Sequence, residues 1–75
     1  MGKTILQAKQ ITYLLTTRQQ CALATTELYL LGSKAGAINK DLEAMIYEAA
    51  EHLNAARLIL SDAVLTAAAD RETSA

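Results

Sequence analysis

Apolar residues recur at steps of three and four along the second half of the chain. The positions that form this stripe are Leu42, Met45, Ile46, Ala49, Leu53, Ala56, Leu60, Ala63 and Ala67. Such spacing keeps one face of an α-helix apolar. Over residues 58–65 the apolar positions spread nearly all round the helix, a pattern typical of a helix that is buried on more than one side. The stripe therefore predicts a helix with more apolar surface than one partner helix covers.

The chain contains no proline, and Gly32 and Gly36 enclose a short segment between two long stretches that lack a strong helix breaker. We predict a first helix over about residues 4–31, a turn over 32–39, a second helix over about 40–69 and a frayed polar tail over 70–75. Gly32 is expected to take the left-handed conformation that ends many helices. Asn39 is expected to cap the second helix. The predicted fold is all-α: a single domain, residues 1–75, in the form of an antiparallel, coiled-coil-like two-helix hairpin.

The first predicted helix is less regular than the second. It carries six threonines, which are mediocre helix formers. Its run Thr16–Gln20 is entirely polar and interrupts the apolar face. Two interpretations remain open for this run: a solvent-exposed turn and a half of a continuous helix, or a kink between two shorter helices.

A chain of 75 residues is short for a self-sufficient fold. Domains of this size bury only about 60 % of their unfolded surface and usually need a disulfide, a metal or a partner. Cys21 is the only cysteine, so no disulfide can form within the chain. A structural zinc site needs about four Cys or His ligands, whereas this chain offers Cys21 and His52. We therefore expect the hairpin to associate with another chain, or with copies of itself.

Charge and hydropathy exclude several classes of partner. The net charge is −1 with both signs interspersed, whereas a nucleic-acid-binding module shows a basic stripe and a lipid-binding one a polybasic patch. The apolar runs are far shorter than the roughly 18 residues of a membrane span. The first residues lack the apolar core of a secretory signal. We expect a cytoplasmic protein that neither binds nucleic acid nor spans a membrane.

Few residues suggest chemistry. His52 and Glu48 share a helix face and could form an acid–base pair, but no nucleophile or oxyanion donor accompanies them, which favours a solvated histidine. Cys21 lies three residues from Arg18, yet free cysteine most often acts as a small hydrophobic residue. The sequence therefore predicts no enzyme activity, no cofactor and no metal site.

The pattern resembles a family of small co-chaperones of the type III secretion needle subunit, the YscE-like proteins. The resemblance covers about residues 19–65 and rests on the pair Ala22–Leu23 followed by Leu28, the turn over 32–36, and a late apolar group in the second helix. That late group is Leu53, Ala56, Ile59 and Leu60. The chain departs from the family in its turn, which lacks a Gln-Tyr-Gln stretch seen in some members, and in its longer N-terminal segment.

The resemblance implies a helical hairpin that pairs with a TPR-like chaperone and, with it, keeps the polymerisation-prone needle subunit soluble in the cytoplasm before export. The contact residues it implies are Leu53, Ala56, Ile59 and Leu60. Tyr29 and Tyr47 are candidate anchors for a different reason, because tyrosine combines a large contact area with a polar tip and is enriched at interfaces. Packing at the edge of the hairpin core is the alternative for both.

Other interpretations stay open. A symmetric dimeric or larger bundle would bury the same surplus apolar surface, and a small phage- or plasmid-encoded inhibitor or regulator could be built in this way. A secretion needle or rod subunit is also a small hairpin, but the needle subunits that define that class carry a proline in the turn, and this chain has none.

Overall fold

The computed structural model describes residues 5–74 and folds them into two long helices. Helix α1 spans Ala8–Ala35 and helix α2 spans Lys40–Ser74, and these residues contain no strand. The helices pack against each other as an antiparallel hairpin 57 × 17 × 14 Å in extent. Its radius of gyration is 17.0 Å, against about 11 Å for a compact domain of this length. The structure confirms the predicted all-α hairpin and shows it to be elongated.

The two helices meet along one seam with a seven-residue repeat. In each helix the positions that face the partner follow one another at alternating steps of three and four, and every one of them is buried or half-buried. The seam positions of α1 are Ile11, Leu14, Arg18, Cys21, Thr25, Leu28, Gly32 and Ala35. Those of α2 are Glu43, Ile46, Ala50, Leu53, Arg57, Leu60, Val64 and Ala67. This is the repeat of a coiled coil, but it is filled largely by small and polar side chains.

Helix α1 is continuous through Thr16–Gln20, so the interpretation as two shorter helices is wrong. Its threonines are accommodated because their hydroxyl groups donate hydrogen bonds to backbone carbonyls four residues earlier, as Thr16 does to Thr12 at 3.1 Å and Thr17 to Tyr13 at 2.9 Å. Thr25, which is buried in the seam, makes the shortest of these bonds, 2.7 Å to the Cys21 carbonyl oxygen. A polar side chain can thus lie in the seam without leaving an unpaired hydroxyl.

The helix boundaries differ from the predicted ones at several points. Helix α1 begins at Ala8, after the extended residue Gln7, whose backbone N–H donates to the Gln10 side chain at 2.8 Å. The predicted start, Thr4, lies outside the described residues. Helix α1 continues to Ala35 rather than ending at Leu31, and α2 continues to Ser74, so the segment predicted to fray is helical up to that residue.

The predicted role of Gly32 is also wrong. No glycine among the described residues has a positive φ, and Gly32 lies inside α1. It is buried against α2, where a Cβ atom built on it would lie 2.5 Å from Cε1 of Tyr47 and 3.2 Å from Cγ2 of Ile46. Gly36, which follows the helix, is similarly crowded by the Glu43 side chain. Both glycines provide space for close approach of the helices rather than an unusual backbone conformation.

The turn is closed by backbone hydrogen bonds and a side-chain cap. The N–H groups of Ile38 and Asn39 donate to the Ala35 carbonyl oxygen at 2.9 and 2.8 Å. The Asn39 side-chain oxygen accepts hydrogen bonds from the backbone N–H groups of Asp41 and Leu42 at 2.9 and 3.2 Å. Asn39 is therefore the N-cap of α2, as predicted.

Replacing Asn39 by alanine should destabilise the hairpin by about 1 kcal/mol, because two N–H groups in the first turn of α2 lose their acceptor. Urea denaturation followed by circular dichroism measures the change. Asn39→Asp, which keeps a capping oxygen, is the matched control and should remain near the wild-type midpoint. Equal losses in both variants would contradict the capping role.

Candidate interaction surfaces

The hairpin leaves much of its large apolar surface in solvent. The buried side chains are small, Thr25, Ala35, Ala50 and Ala67, and no large side chain among the described residues is fully buried. By contrast, Ile59 is 68 % exposed, and Leu30 64 %. The other exposed large hydrophobic residues are Leu6, Tyr13, Leu15, Leu23, Tyr29, Leu31, Ile38, Leu42, Met45, Leu58 and Leu65. Two helices that meet at a single narrow seam cannot cover these side chains.

Many of the exposed residues lie on one of two sides of the seam. On α2, one side is formed by the residues that immediately precede seam positions. We call this side the alanine face, and its residues are Leu42, Met45, Ala49, His52, Ala56, Ile59, Ala63 and Thr66, of which Ala56 and Ala63 are half-buried at the edge of the seam. It carries no aspartate, glutamate, lysine or arginine. Near the end of the hairpin, Ile5 and Leu6 lie against Ala63 and Ala67, and an Arg71 Nη1–H donates to the Leu6 carbonyl oxygen at 3.2 Å.

The opposite side, which we call the tyrosine–arginine face, contains aromatic and basic groups. The rings of Tyr29 and Tyr47 lie 5.6 Å apart at an angle of 42°, a tilted arrangement within the favourable range for aromatic pairs. Further along the seam, a cavity of about 270 Å³ opens between the helices. The residues that line it are Arg18, Gln19, Ala22, Arg57 and Ser61.

The six residues predicted to contact a partner are divided among three environments. Leu53 and Leu60 are half-buried in the seam, where they hold the hairpin together. Ala56 and Ile59 lie on the alanine face. The tyrosine pair lies across the seam from them, so the six do not form one continuous surface. The hydrophobic pattern did not predict that Arg18 and Arg57 line the same cavity. The seven-residue repeat is the signal that could have shown it, because both arginines occupy seam positions.

The candidate chemical groups do not converge. His52 Nε2 lies 3.8 Å from Glu48 Oε1, and both side chains are largely in water, at 79 and 73 % exposed. Cys21 is half-buried in the seam. Over residues 5–74 no cluster of three or more His, Cys, Asp or Glu side chains has the arrangement of a metal site. The pair of His52 and Glu48 and the thiol of Cys21 therefore lie apart from one another among the described residues.

Neither helix, over the part of the chain that the structure describes, has a segment long and apolar enough to cross a membrane.

Comparison with known proteins adds no relative from which a function could be transferred. No family model matches the chain, and neither a curated protein nor a solved structure matches it. The surfaces of the hairpin, together with the resemblance in its sequence, are therefore the basis for assigning a function.

Proposed function

We propose that this chain is a non-catalytic interaction module that works by packing against another helical protein. The observation that carries the proposal is the combination of a narrow seam, in which no large side chain among the described residues is fully buried, with large apolar residues left in solvent. Exposed apolar surface that is contiguous and bordered by polar residues usually marks a protein interface. A partner that binds only the folded hairpin would also stabilise it by mass action.

The alanine face is the surface we assign to that partner. Ala49, Ala56 and Ala63 recur at seven-residue intervals and allow the backbone of an approaching helix to come close. Met45 and Ile59, 66 and 68 % exposed, border this row and supply the apolar area. A helix laid along the row would gain contacts at successive turns, as in helix-in-groove recognition.

The specific role we propose is that of a cytoplasmic co-chaperone. In this role the hairpin pairs with a TPR-like chaperone, and the pair holds a type III secretion needle subunit before export. The support is the resemblance over residues 19–65, together with the position of Ala56 and Ile59 on the alanine face. Helical-repeat chaperones present grooves between helices, which fit a long hairpin of this shape.

The test is capture of partners by the tagged chain from its native cell, followed by mass spectrometry, with Ile59→Asp as the informative variant. A charge at position 59 should abolish co-purification of the partner, because it would be desolvated in the interface. Leu30→Asp is the matched control: Leu30 is 64 % exposed, lies on α1 outside the alanine face, and its replacement should leave capture unchanged.

A TPR-like protein recovered with a needle-like subunit would support the co-chaperone role. Capture that is equal for the wild type and Ile59→Asp would contradict the assignment of the alanine face. Leu60→Asp is unsuitable for this purpose, because Leu60 lies in the seam and its replacement would damage the hairpin itself.

A second candidate is self-association into a helical bundle, as in a small phage- or plasmid-encoded regulator. The observation that favours it is the absence of Asp, Glu, Lys and Arg from the alanine face, whose one ionisable residue is His52, so that two copies could pack with few like-charge contacts. Light scattering on the purified chain distinguishes the two: a stable dimer that Ile59→Asp converts to a monomer would favour self-association.

A further inference from the structure

Two arginines from different helices line the same cavity on the tyrosine–arginine face. Arg18 of α1 and Arg57 of α2 both occupy seam positions, and both are half-buried. The other residues of the lining are neutral: Gln19, Ala22 and Ser61. Two positive groups are therefore held beside a cavity that contains no carboxylate in its wall.

Neither arginine has an anionic partner among residues 5–74. The ion pairs in this range are Lys40 with Glu43 and His52 with Glu48. Arg57 is instead oriented by a neutral acceptor: its Nε–H and an Nη2–H donate to Asn54 Oδ1 at 3.1 and 3.0 Å. Partial burial of like charges without a counter-ion is unfavourable, so an anion entering the cavity would relieve it.

We propose that Arg18 and Arg57 form an oxyanion-binding site, and that its occupant is the side-chain carboxylate of an Asp or Glu on a second helix of the partner, which packs on the tyrosine–arginine face. The inference rests on the proposed function and extends it to a second face of the hairpin. Guanidinium groups match carboxylates in charge and can bind them through two parallel hydrogen bonds. The asparagine that holds Arg57 keeps its guanidinium oriented before the anion arrives.

The surroundings of the cavity favour a carboxylate carried by a protein over a free ion. Leu15 and Leu58, 36 and 52 % exposed, are close to the arginines in sequence: Leu15 lies three residues before Arg18, and Leu58 follows Arg57. Tyr29 lies eleven residues from Arg18 along α1, about 16 Å at 1.5 Å per residue. A partner helix that places an acidic residue over the cavity would thus place apolar residues within one turn of it and about three turns away.

Nuclear magnetic resonance of the full-length chain tests the site without any partner. The chain has three arginines, Arg18, Arg57 and Arg71, and the side-chain Nε–H signal of each can be followed while inorganic phosphate is added at constant ionic strength. The signals of Arg18 and Arg57 should shift together with one dissociation constant of about 1 mM, the affinity that a few charge-assisted hydrogen bonds support. Arg71, which lies outside the cavity, is the internal control.

In Arg18→Gln, the Arg57 signal should lose its response to phosphate. Equal shifts of all three signals in the wild type would mean general screening of charge and would overturn the site, as would independent responses of Arg18 and Arg57. Because no partner takes part in this titration, its failure counts against the oxyanion site and leaves the proposed function standing.

The origin of the carboxylate is tested with the partner that the wild-type chain captures and mass spectrometry identifies. The double variant Arg18→Gln/Arg57→Gln should bind that purified partner at least tenfold more weakly, since truncating one side of a desolvated charge pair is costly. Lys34→Gln, which removes an exposed positive charge elsewhere on α1, should bind as the wild type does. Unchanged binding by the double variant would overturn the assignment of a partner carboxylate to this site, even if phosphate binds to the two arginines.

Discussion

Replacing Leu60 by aspartate is expected to unfold the isolated hairpin. Leu60 is half-buried in the seam, and the substitution both removes apolar burial worth about 2 kcal/mol and places a charge between the helices. The total cost, about 4 kcal/mol, is of the order of the whole free energy of unfolding of a domain this small. Circular dichroism at 222 nm should show loss of most of the helical signal.

Ile59→Asp is the matched control for this prediction, because it introduces the same side chain one position away. Ile59 is 68 % exposed, so the change in the free energy of unfolding should stay within about 0.5 kcal/mol, as for most surface substitutions. Equal loss of helical signal in the two variants would contradict the position of the seam. Retention of a wild-type spectrum by Leu60→Asp would do the same.

The contrast between these neighbours bears on how the chain divides its apolar residues between folding and binding. Leu60 and Leu53 hold α2 against α1, whereas Ile59 and Ala56 are directed to the alanine face. Adjacent residues of α2 therefore serve different purposes: Leu60 contributes to folding, and Ile59 to binding. Since no large side chain among the described residues is fully buried in the seam, a partner on the alanine face would add a substantial part of the apolar contact that the hairpin lacks.

The stripe read from the sequence combines two rows of residues that the structure separates. Ile46, Leu53 and Leu60 belong to the seam, as the spacing predicted, but Ala49 and Ala56 lie on the open side. The apolar pattern falls between these rows because the other seam row of α2 contains Glu43 and Arg57. A pattern based on hydrophobicity misses the seven-residue repeat, because several seam positions hold polar residues.

Other features could be predicted because local chemistry determines them. Asn39 caps α2 since its side chain can reach the free N–H groups of the first turn. The order of helix, turn and helix follows from the absence of proline and the position of the glycines. The oxyanion site could not be predicted, because Arg18 and Arg57 come together only once the register of the two helices is fixed.

Gly32→Ala should destabilise the hairpin, although alanine is the better helix former. Within a helix this replacement is ordinarily stabilising by about 1 kcal/mol. Here the added Cβ would lie 2.5 Å from Cε1 and 2.8 Å from Cδ1 of Tyr47, so the ring would have to move away from Tyr29, its aromatic neighbour at 5.6 Å. We expect a net loss of about 1–3 kcal/mol in the free energy of unfolding, the range for overpacked sites.

The sign of the effect should reverse once the tyrosine ring is removed. In a Tyr47→Ala background only Cγ2 of Ile46, at 3.2 Å, still crowds the new Cβ. A shift of that methyl group by a few tenths of an ångström makes room, and Gly32→Ala should then stabilise by up to about 1 kcal/mol through helix propensity. The four proteins of this double-mutant cycle are compared by urea denaturation. Stabilisation by Gly32→Ala in the wild-type background would mean that the helices do not approach as closely at Gly32 as the structure places them, and the register of the seam would have to be revised.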